Sequence, residues 1–190
     1  FLLPSGETIM SSRRLEARSR ETVWVDHEAP ALADTAVSVE VKTAADSPIV
    51  VERSMWWPGG PDTWHEAHAS LGATVDSTAW AIADGEADVA RNLRTYVLIA
   101  NGGAADGTAR VRVVFEGGGE SEVLVNLPAN SRTNLDVGDE VPAAEGRRFG
   151  VLVESLGTPP APIVVERASY WDAAGQRWAA GTNAPATRLR

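Results

Sequence analysis

The chain has 190 residues, no cysteine, and a formal net charge of −9 from 26 acidic against 17 basic residues. The lack of cysteine excludes disulfides and thiolate chemistry, and the acidic balance argues against a nucleic-acid partner. No apolar run approaches the roughly 20 residues of a membrane helix, so we expect no membrane insertion.

The predicted elements are nearly all β-strands. In "AVSVEVKT" (36–43), Val37, Val39 and Val41 alternate with polar residues, which predicts a half-buried strand. Further segments of the same kind follow: "RTYVLIAN", "ARVRVVFE", "SEVLVNL", "RFGVLVES" and "APIVVERASYW". Turn clusters separate them, and only "APALADTA" suggests a short helical turn. The pattern predicts an all-β fold of tandem, immunoglobulin-like antiparallel β-sandwich domains.

The tandem arrangement is indicated by an internal repeat. "PIVVERSMWWPGGPDTW" (48–64) matches "PIVVERASYWDAAGQRW" (162–178) at eight of 17 positions. "LEARSRETVWVDHEAP" (15–30) matches "LPANSRTNLDVGDEVP" (127–142) at seven of 16 positions, with an offset of 112 instead of 114. Self-similarity at a nearly fixed offset marks a repeated structural unit. We expect the two hairpins, 48–64 and 162–178, to be the same hairpin in two superposable domains.

The repeat divides the chain into residues 1–76, the first repeat, and residues 77–190, the second repeat. Phe1 aligns with Val113, so the first repeat has no counterpart of residues 79–112. We therefore expect a first sandwich that is incomplete at its N-terminus and exposes unpaired strand edges. Because the chain begins at Phe1 without Met or a signal peptide, we also expect a fragment of a longer protein.

Two sources of the missing strands follow from this expectation. The first is an upstream part of the same polypeptide, which we favour. The second is a neighbouring copy that donates strands. Such a donated strand would link subunits head to tail and could build a filament.

Several motifs resemble a known family. "PIVVER", the strand "RTYVLIAN", the turn "LPANSR" and the terminal "WAAGTNAPATRL" resemble a repeat domain of unknown function at the C-terminal ends of large secreted or surface proteins of high-GC bacteria. The resemblance covers nearly the whole chain. It implies an extracellular or cell-surface location and a modular, non-catalytic role, and it carries no catalytic residues, ligand or cofactor.

Candidate chemistry is sparse. "WHEAH" places His65 and His68 three residues apart, whereas the zincin motif needs histidines four apart on a helix. "ADGEAD" (83–88) could suit calcium, but it lacks the spacing of a calcium loop, so we favour a solvated acidic turn. No serine has a nucleophile-elbow context. We expect no catalytic residues, no metal site and no cofactor.

The dyads Glu52-Arg53 and Glu166-Arg167 recur in the same strand of each repeat. Arg53 and Arg167 could each contact a ligand or partner beside the tryptophans. Alternatively, each arginine stacks on an aromatic ring or pairs across strands, which stabilises a fold by about 0.5–1 kcal/mol. We favour the second interpretation, because the dyad recurs with the fold.

Four of the seven tryptophans bracket the equivalent hairpins: Trp57, Trp64, Trp171 and Trp178. Exposed indoles stack on sugar rings and are frequent in protein interfaces. Repeated tryptophans also serve as packing elements, which we favour because large aromatic side chains dominate core energetics. Exposure of a coplanar pair would favour sugar binding, and burial would favour packing.

These patterns predict a non-catalytic spacer, stalk or adhesion module of a larger secreted bacterial protein. The alternative is a carbohydrate-binding module appended to an extracellular enzyme. The expected partners are the strands that complete the first sandwich and, for the binding residues, a carbohydrate or another surface protein.

Overall fold

The computed structural model describes residues 1–44, 47–57 and 66–189, and in this part of the chain every strand ladder is antiparallel. The strands are β1 Glu52–Trp57, β2 Glu66–Leu71, β3 Ala79–Ala87, β4 Arg94–Asn101, β5 Gly107–Phe115, β6 Glu120–Leu127, β7 Ser131–Asp136, β8 Arg147–Leu156, β9 Val164–Ala173, β10 Gln176–Pro185 and β11 Thr187–Arg188. Single helical turns are α1 Val25–Glu28 and α2 Val137–Glu140, with 3-10 turns at Pro30–Leu32, Val89–Arg91 and Pro142–Ala144. Among the described residues, none of these helices has the length and apolar character to cross a membrane.

The second repeat forms a β-sandwich. One sheet has the strand order β10-β9-β4-β7, and the other has the order β11-β3-β8-β5-β6. Their facing sides form the core, whose innermost side chains are at most 1% exposed: Val97, Ile99, Val111, Val113, Val151, Val153, Ile163 and Val165. The predicted all-β, antiparallel, immunoglobulin-like sandwich is confirmed for this part of the chain, whereas the number of such domains stays a prediction.

Alternation in the sequence explains why these strands form. In β8, Phe149, Val151 and Val153 are buried and alternate with partly exposed neighbours, as expected for a strand with one face on the core. β4 is buried at three consecutive positions, Val97, Leu98 and Ile99, so side chains on both of its faces are shielded from solvent. Both strands coincide closely with the segments predicted from the sequence.

The hairpins β1–β2 and β9–β10 share one register. Glu52 pairs with Leu71 and Trp57 with Glu66, and residues 114 positions later pair in the same way, Glu166 with Pro185 and Trp171 with Ala180. All six pairs of β1–β2 have such an equivalent. The predicted equivalence of the two hairpins is therefore confirmed for their strand register, whereas their place in two superposable domains stays a prediction; the turn residues 58–65 lie outside the described residues.

Local structure repeats elsewhere at the offset of 112. The bridges of Leu2 with Thr8 and Ser38 correspond to the pairing of Val114 with Glu120 and Gly150. Likewise, α1 corresponds to α2, and the 3-10 turn Pro30–Leu32 to Pro142–Ala144. At these positions the sequence repeat is also a repeat of conformation.

The predicted strand "AVSVEVKT" is not observed as a strand. Its counterpart in the second repeat, β8, pairs with β3 on one edge and β5 on the other. Residues 36–43 form only the bridge between Ser38 and Leu2. A period of two selects the faces of a strand, but a ladder also needs partner strands for its backbone groups. In the described part of residues 1–76, β1–β2 is the one ladder, and assigning these residues to a separate domain stays a prediction.

Leu15 and Leu127 are equivalent in the repeat but differ in burial, with 49% and 1% of their surfaces exposed. Replacing a buried leucine by alanine costs about 2–5 kcal/mol, because a cavity adds to the lost transfer free energy. We expect Leu127→Ala to lower the free energy of unfolding by that amount, and Leu15→Ala to lower it by less than about 1 kcal/mol. Urea unfolding of both variants measures the difference, and equal losses would contradict the burial described here.

Candidate functional site

The tryptophans and arginines predicted as contact residues meet where β1–β2 lies against β9–β10. Strand alternation places Arg53, Trp57 and His68 on one face of β1–β2, and all three are partly buried. Trp56 and Leu71, on the opposite face, are exposed. The first face packs on the outer face of β9–β10, which is the side of that hairpin turned away from the sandwich core. We call this contact the joint; it comprises Arg53, Trp57, His68, Glu166, Tyr170, Trp178 and Gly181.

Trp57 is held by one hydrogen bond and by contacts with two rings, those of Tyr170 and His68, the latter with centroids 4.9 Å apart. Its indole Nε1 donates to the carbonyl oxygen of Trp178 at 2.7 Å. Its ring meets that of Tyr170 edge to face, with centroids 5.2 Å apart and planes at 89°. An edge-to-face pair of this kind contributes about 0.5–1.5 kcal/mol beyond its buried area. Trp57 is therefore a packing residue of the joint.

Gly181 makes this close approach possible. A Cβ added at Gly181 would lie 2.6 Å from Cζ2 of Trp57 and 2.7 Å from Cδ1 of Tyr170. Real Cβ atoms do not approach other atoms so closely. The absence of a side chain in β10 thus leaves the space that the two rings occupy.

A charge pair lies beside the aromatic rings. Nη1 of Arg53 is 3.1 Å from Oε2 of Glu166, and both side chains are partly buried. Burial lowers the pKa of Arg132 in β7, the positive charge of Arg53 lowers it further, and the negative charge of Glu166 raises it. Arg132 also donates from Nη1 to the carbonyl oxygen of Val37, a second tie between the repeats. Glu166 thus forms an ion pair with Arg53, and its negative charge also acts on Arg132.

His68 is a partly buried member of the joint. Burial lowers its pKa, and the positive charge of Arg53 lowers it further. Its Nε2 lies 3.5 Å from the hydroxyl of Tyr170, whose own pKa is raised mainly by burial. A neutral imidazole can accept from that hydroxyl, whereas a protonated imidazole would place a second cation near Arg53.

Trp178 and Trp171 occupy different surroundings. Trp178 has a φ of 51° at an irregularity in β10, and its backbone N–H donates to Oδ1 of Asp172 at 2.9 Å. Its ring stacks on Tyr170 with centroids 5.8 Å apart. Trp171 is partly buried and pairs across β9–β10 with Ala180. Trp64, the fourth tryptophan predicted to make contacts, lies outside the described residues.

Arg167 lies inside the sandwich and not in the joint. It is 6% exposed, its Nη1 donates to Oγ of Ser169 at 3.0 Å, and its Nη2 lies 3.5 Å from Oδ2 of Asp84 in β3. Arg53 and Arg167 are equivalent in register but have different partners, Glu166 in one case and Asp84 in the other. Both arginines have acidic partners within the chain, but neither partner lies on a strand that pairs with the arginine's own strand, so the preferred interpretation of pairing across strands stays a prediction.

Sequence reasoning did not single out His68, Tyr170 or Gly181 as members of a site with Trp57. Tyr170 aligns with Trp56, so the repeat already indicated an aromatic residue at this position of each hairpin. No pattern in the sequence marks Gly181 as a member of the joint. Among residues 1–44, 47–57 and 66–189, no group of three His, Cys, Asp or Glu side chains could hold a metal ion; His65 is not among these residues.

Comparisons with known proteins bear on the fold only. No protein-family model matches the chain, and no curated protein matches it. Among solved structures, Thermotoga maritima 1070 is similar, with a TM-score of 0.50 and 14% identity over 58% of this chain and 93% of that one. The Anabaena sensory rhodopsin transducer gives a TM-score of 0.41 and 21% identity over 50% of this chain and 86% of that one. The first likeness supports the sandwich fold.

Replacing Gly181 by alanine should open the joint. The new Cβ would force Trp57 and Tyr170 apart, and overpacking of this kind typically costs about 1–3 kcal/mol. We expect faster solvent exchange of the Trp57 indole proton in ¹⁵N-indole NMR spectra and a lower melting temperature. Gly102→Ala is the matched control, because a Cβ there meets nothing within 4 Å. Unchanged exchange in Gly181→Ala would contradict the packing of Trp57 against β10.

The lowered pKa of His68 predicts a pH dependence of stability. The unfolded chain takes up a proton on His68 near its ordinary pKa of about 6.5, whereas the folded chain does so only at lower pH. Between these two pKa values the unfolded state binds more protons, so stability rises with pH and is lost as pH falls.

We therefore expect the free energy of unfolding to decrease from about pH 7.5 to about pH 5, and His68→Gln to remove part of this slope. Denaturant unfolding across this range measures it. His27→Gln is the control and should leave the His68 contribution intact. A His68→Gln variant with the slope of the parent chain would contradict the assignment.

Proposed function

We propose that this chain is a non-catalytic structural module of a larger extracellular bacterial protein, in which repeated β-hairpins join neighbouring repeats into a spacer, stalk or adhesion region. The observation that carries the proposal is the position of Trp57. Its indole N–H donates to the carbonyl oxygen of Trp178. The indole that could otherwise stack on a sugar ring is therefore used for packing between the repeats.

The charged residues of the joint support the same proposal. Arg53 pairs with Glu166 across the joint and Arg167 is buried beside Asp84, so both predicted contact arginines have acidic partners within the chain. Partly buried ion pairs of this kind fix geometry more than they add stability. A joint with a fixed geometry suits a module whose role is to hold other domains at a distance.

The extracellular location rests on the sequence motifs that resemble repeat domains of secreted and surface proteins. The carbohydrate-binding alternative requires exposed, coplanar tryptophans. In the described residues Trp57, Trp171 and Trp178 are partly buried, and Trp57 meets its aromatic neighbour Tyr170 edge to face. The packing role is therefore the better supported of the two.

The adjacent residues Trp56 and Trp57 provide a test. They lie on opposite faces of β1, with Trp56 51% exposed and Trp57 in the joint. We expect Trp57→Ala to lower the free energy of unfolding by about 2 kcal/mol, less than the 3–5 kcal/mol of a fully buried tryptophan, and Trp56→Ala to lower it by less. Thermal and urea unfolding measure both changes.

The same variants are tested for retention on insoluble cellulose, chitin, xylan and peptidoglycan. The proposal expects no retention that depends on Trp57. Retention of the parent chain that Trp57→Ala abolishes, with the melting temperature unchanged, would overturn the structural role and establish a carbohydrate-binding module.

A further inference from the structure

Six apolar positions of the first repeat are exposed although their equivalents form the core of the second repeat. They are Leu15, Val23, Val39, Val41, Ile49 and Val51, and each is between 37% and 49% exposed. The equivalents are Leu127, Leu135, Val151, Val153, Ile163 and Val165, and each is between 0% and 5% exposed. We call these six residues of the first repeat the uncovered face. Its apolar character is that of a sandwich interior, not that of a surface.

The second repeat shows what covers such a face. In β3, Trp80 pairs with Val153 and Ile82 with Val151. In β4, Val97 pairs with Leu135 and Ile99 with Val165. Four of the six buried equivalents are thus direct cross-strand neighbours of β3 or β4, and the described residues of the first repeat contain no counterpart of either strand.

The strand edges of the first repeat that lack a ladder in the described residues indicate the same partner. β9 pairs with β10 on one edge and with β4 on the other, whereas its equivalent β1 pairs with β2 alone in the described part of the chain. Residues 36–43, equivalent to part of β8, form one bridge where β8 forms two ladders. A strand equivalent to β4 would fit the second edge of β1, and a strand equivalent to β3 would fit the edge of 36–43.

A second whole chain is a poor donor of these strands. Its own β3 and β4 already cover its second repeat, so donating them would uncover one core in order to cover another. The net change in buried apolar surface is then close to zero. A stable partner must be an additional strand pair with the same alternation.

We propose that the uncovered face is the docking site for a second copy of the β3–β4 segment. This partner is an antiparallel strand pair whose inward side chains correspond to Trp80, Ile82, Val97 and Ile99. It would place these side chains against Val41, Val39, Val23 and Val51. The docking site adjoins the joint, because Val51 directly precedes β1 and by strand alternation lies on the same side as Arg53 and Trp57.

A fusion protein supplies this partner within the chain. In the second repeat Arg112 is followed directly by Val113, the equivalent of Phe1. A duplicate of residues 79–112 placed directly before Phe1 therefore reproduces the natural connection. In the control fusion, the duplicate alone carries Ile82→Asp, Val97→Asp and Ile99→Asp.

Hydrogen exchange of the full fusion measures docking. We expect amide exchange in residues 36–43 and 49–51 to slow by at least about 100-fold relative to the parent chain, with lower binding of the dye ANS, and neither change in the control fusion. Unchanged exchange, or equal protection in both fusions, would overturn the proposal. It would also be overturned if sedimentation showed the parent chain to be a dimer in which residues 36–43 are already protected. The fusion changes no residue of the joint, and variants at Trp57 or Gly181 change no residue of the uncovered face, so different proteins test the two claims.

Discussion

Antiparallel pairing in one fixed register is the constraint on which the rest of this structure depends. It gives both hairpins two defined faces, because a shift by one residue would exchange the side chains of those faces. In β9–β10 the inner face covers the sandwich core and the outer face receives Trp57 and Arg53. In β1–β2 one face enters the joint, and the face with Trp56 is exposed. The same register thus produces two hairpins with different degrees of burial.

The paired arginines show how one sequence position serves two environments. Arg167 is almost fully buried, and the Asp84 carboxylate and the Ser169 hydroxyl offset part of the cost of removing its charge from water. Arg53 stands in a wetter contact with Glu166, close to a second cation, Arg132. The glutamate before each arginine points to the opposite face. Glu166 is therefore available on the outer face of β9, where Arg53 meets it.

Much of the fold was predictable because the central strands of the second repeat, such as β4 and β8, have partners on both edges. The segments around Val97 and Val151 alternate or are continuously apolar as their positions in the sheets require. The same reasoning was wrong for residues 36–43, because alternation around Val39 says which residues share a face but not whether a ladder forms. A strand is a property of neighbouring chain segments as well as of its own sequence.

The joint was predictable only in part. The recurrence of Trp57 and Arg53 in the repeat marked them as structural, and their spacing of four residues placed them on one face of a strand. The residues that contact Trp57 and Arg53 in the joint could not be predicted from the sequence in this way. Gly181 is important because of the space that it leaves, and His68 because of its burial near Arg53. Both properties arise only when the two hairpins are brought together.

The most direct test of the central claim, that the inward face of β1–β2 seats on the outer face of β9–β10, is the proximity of Trp57 to Tyr170. In a chain with selectively labelled aromatic rings, the edge-to-face geometry at 5.2 Å predicts nuclear Overhauser effects between the two rings. It also predicts a Trp57 indole proton protected from exchange by its bond to the carbonyl of Trp178. The absence of cross-ring effects, together with an indole proton that exchanges at the rate of a free peptide, would contradict the account.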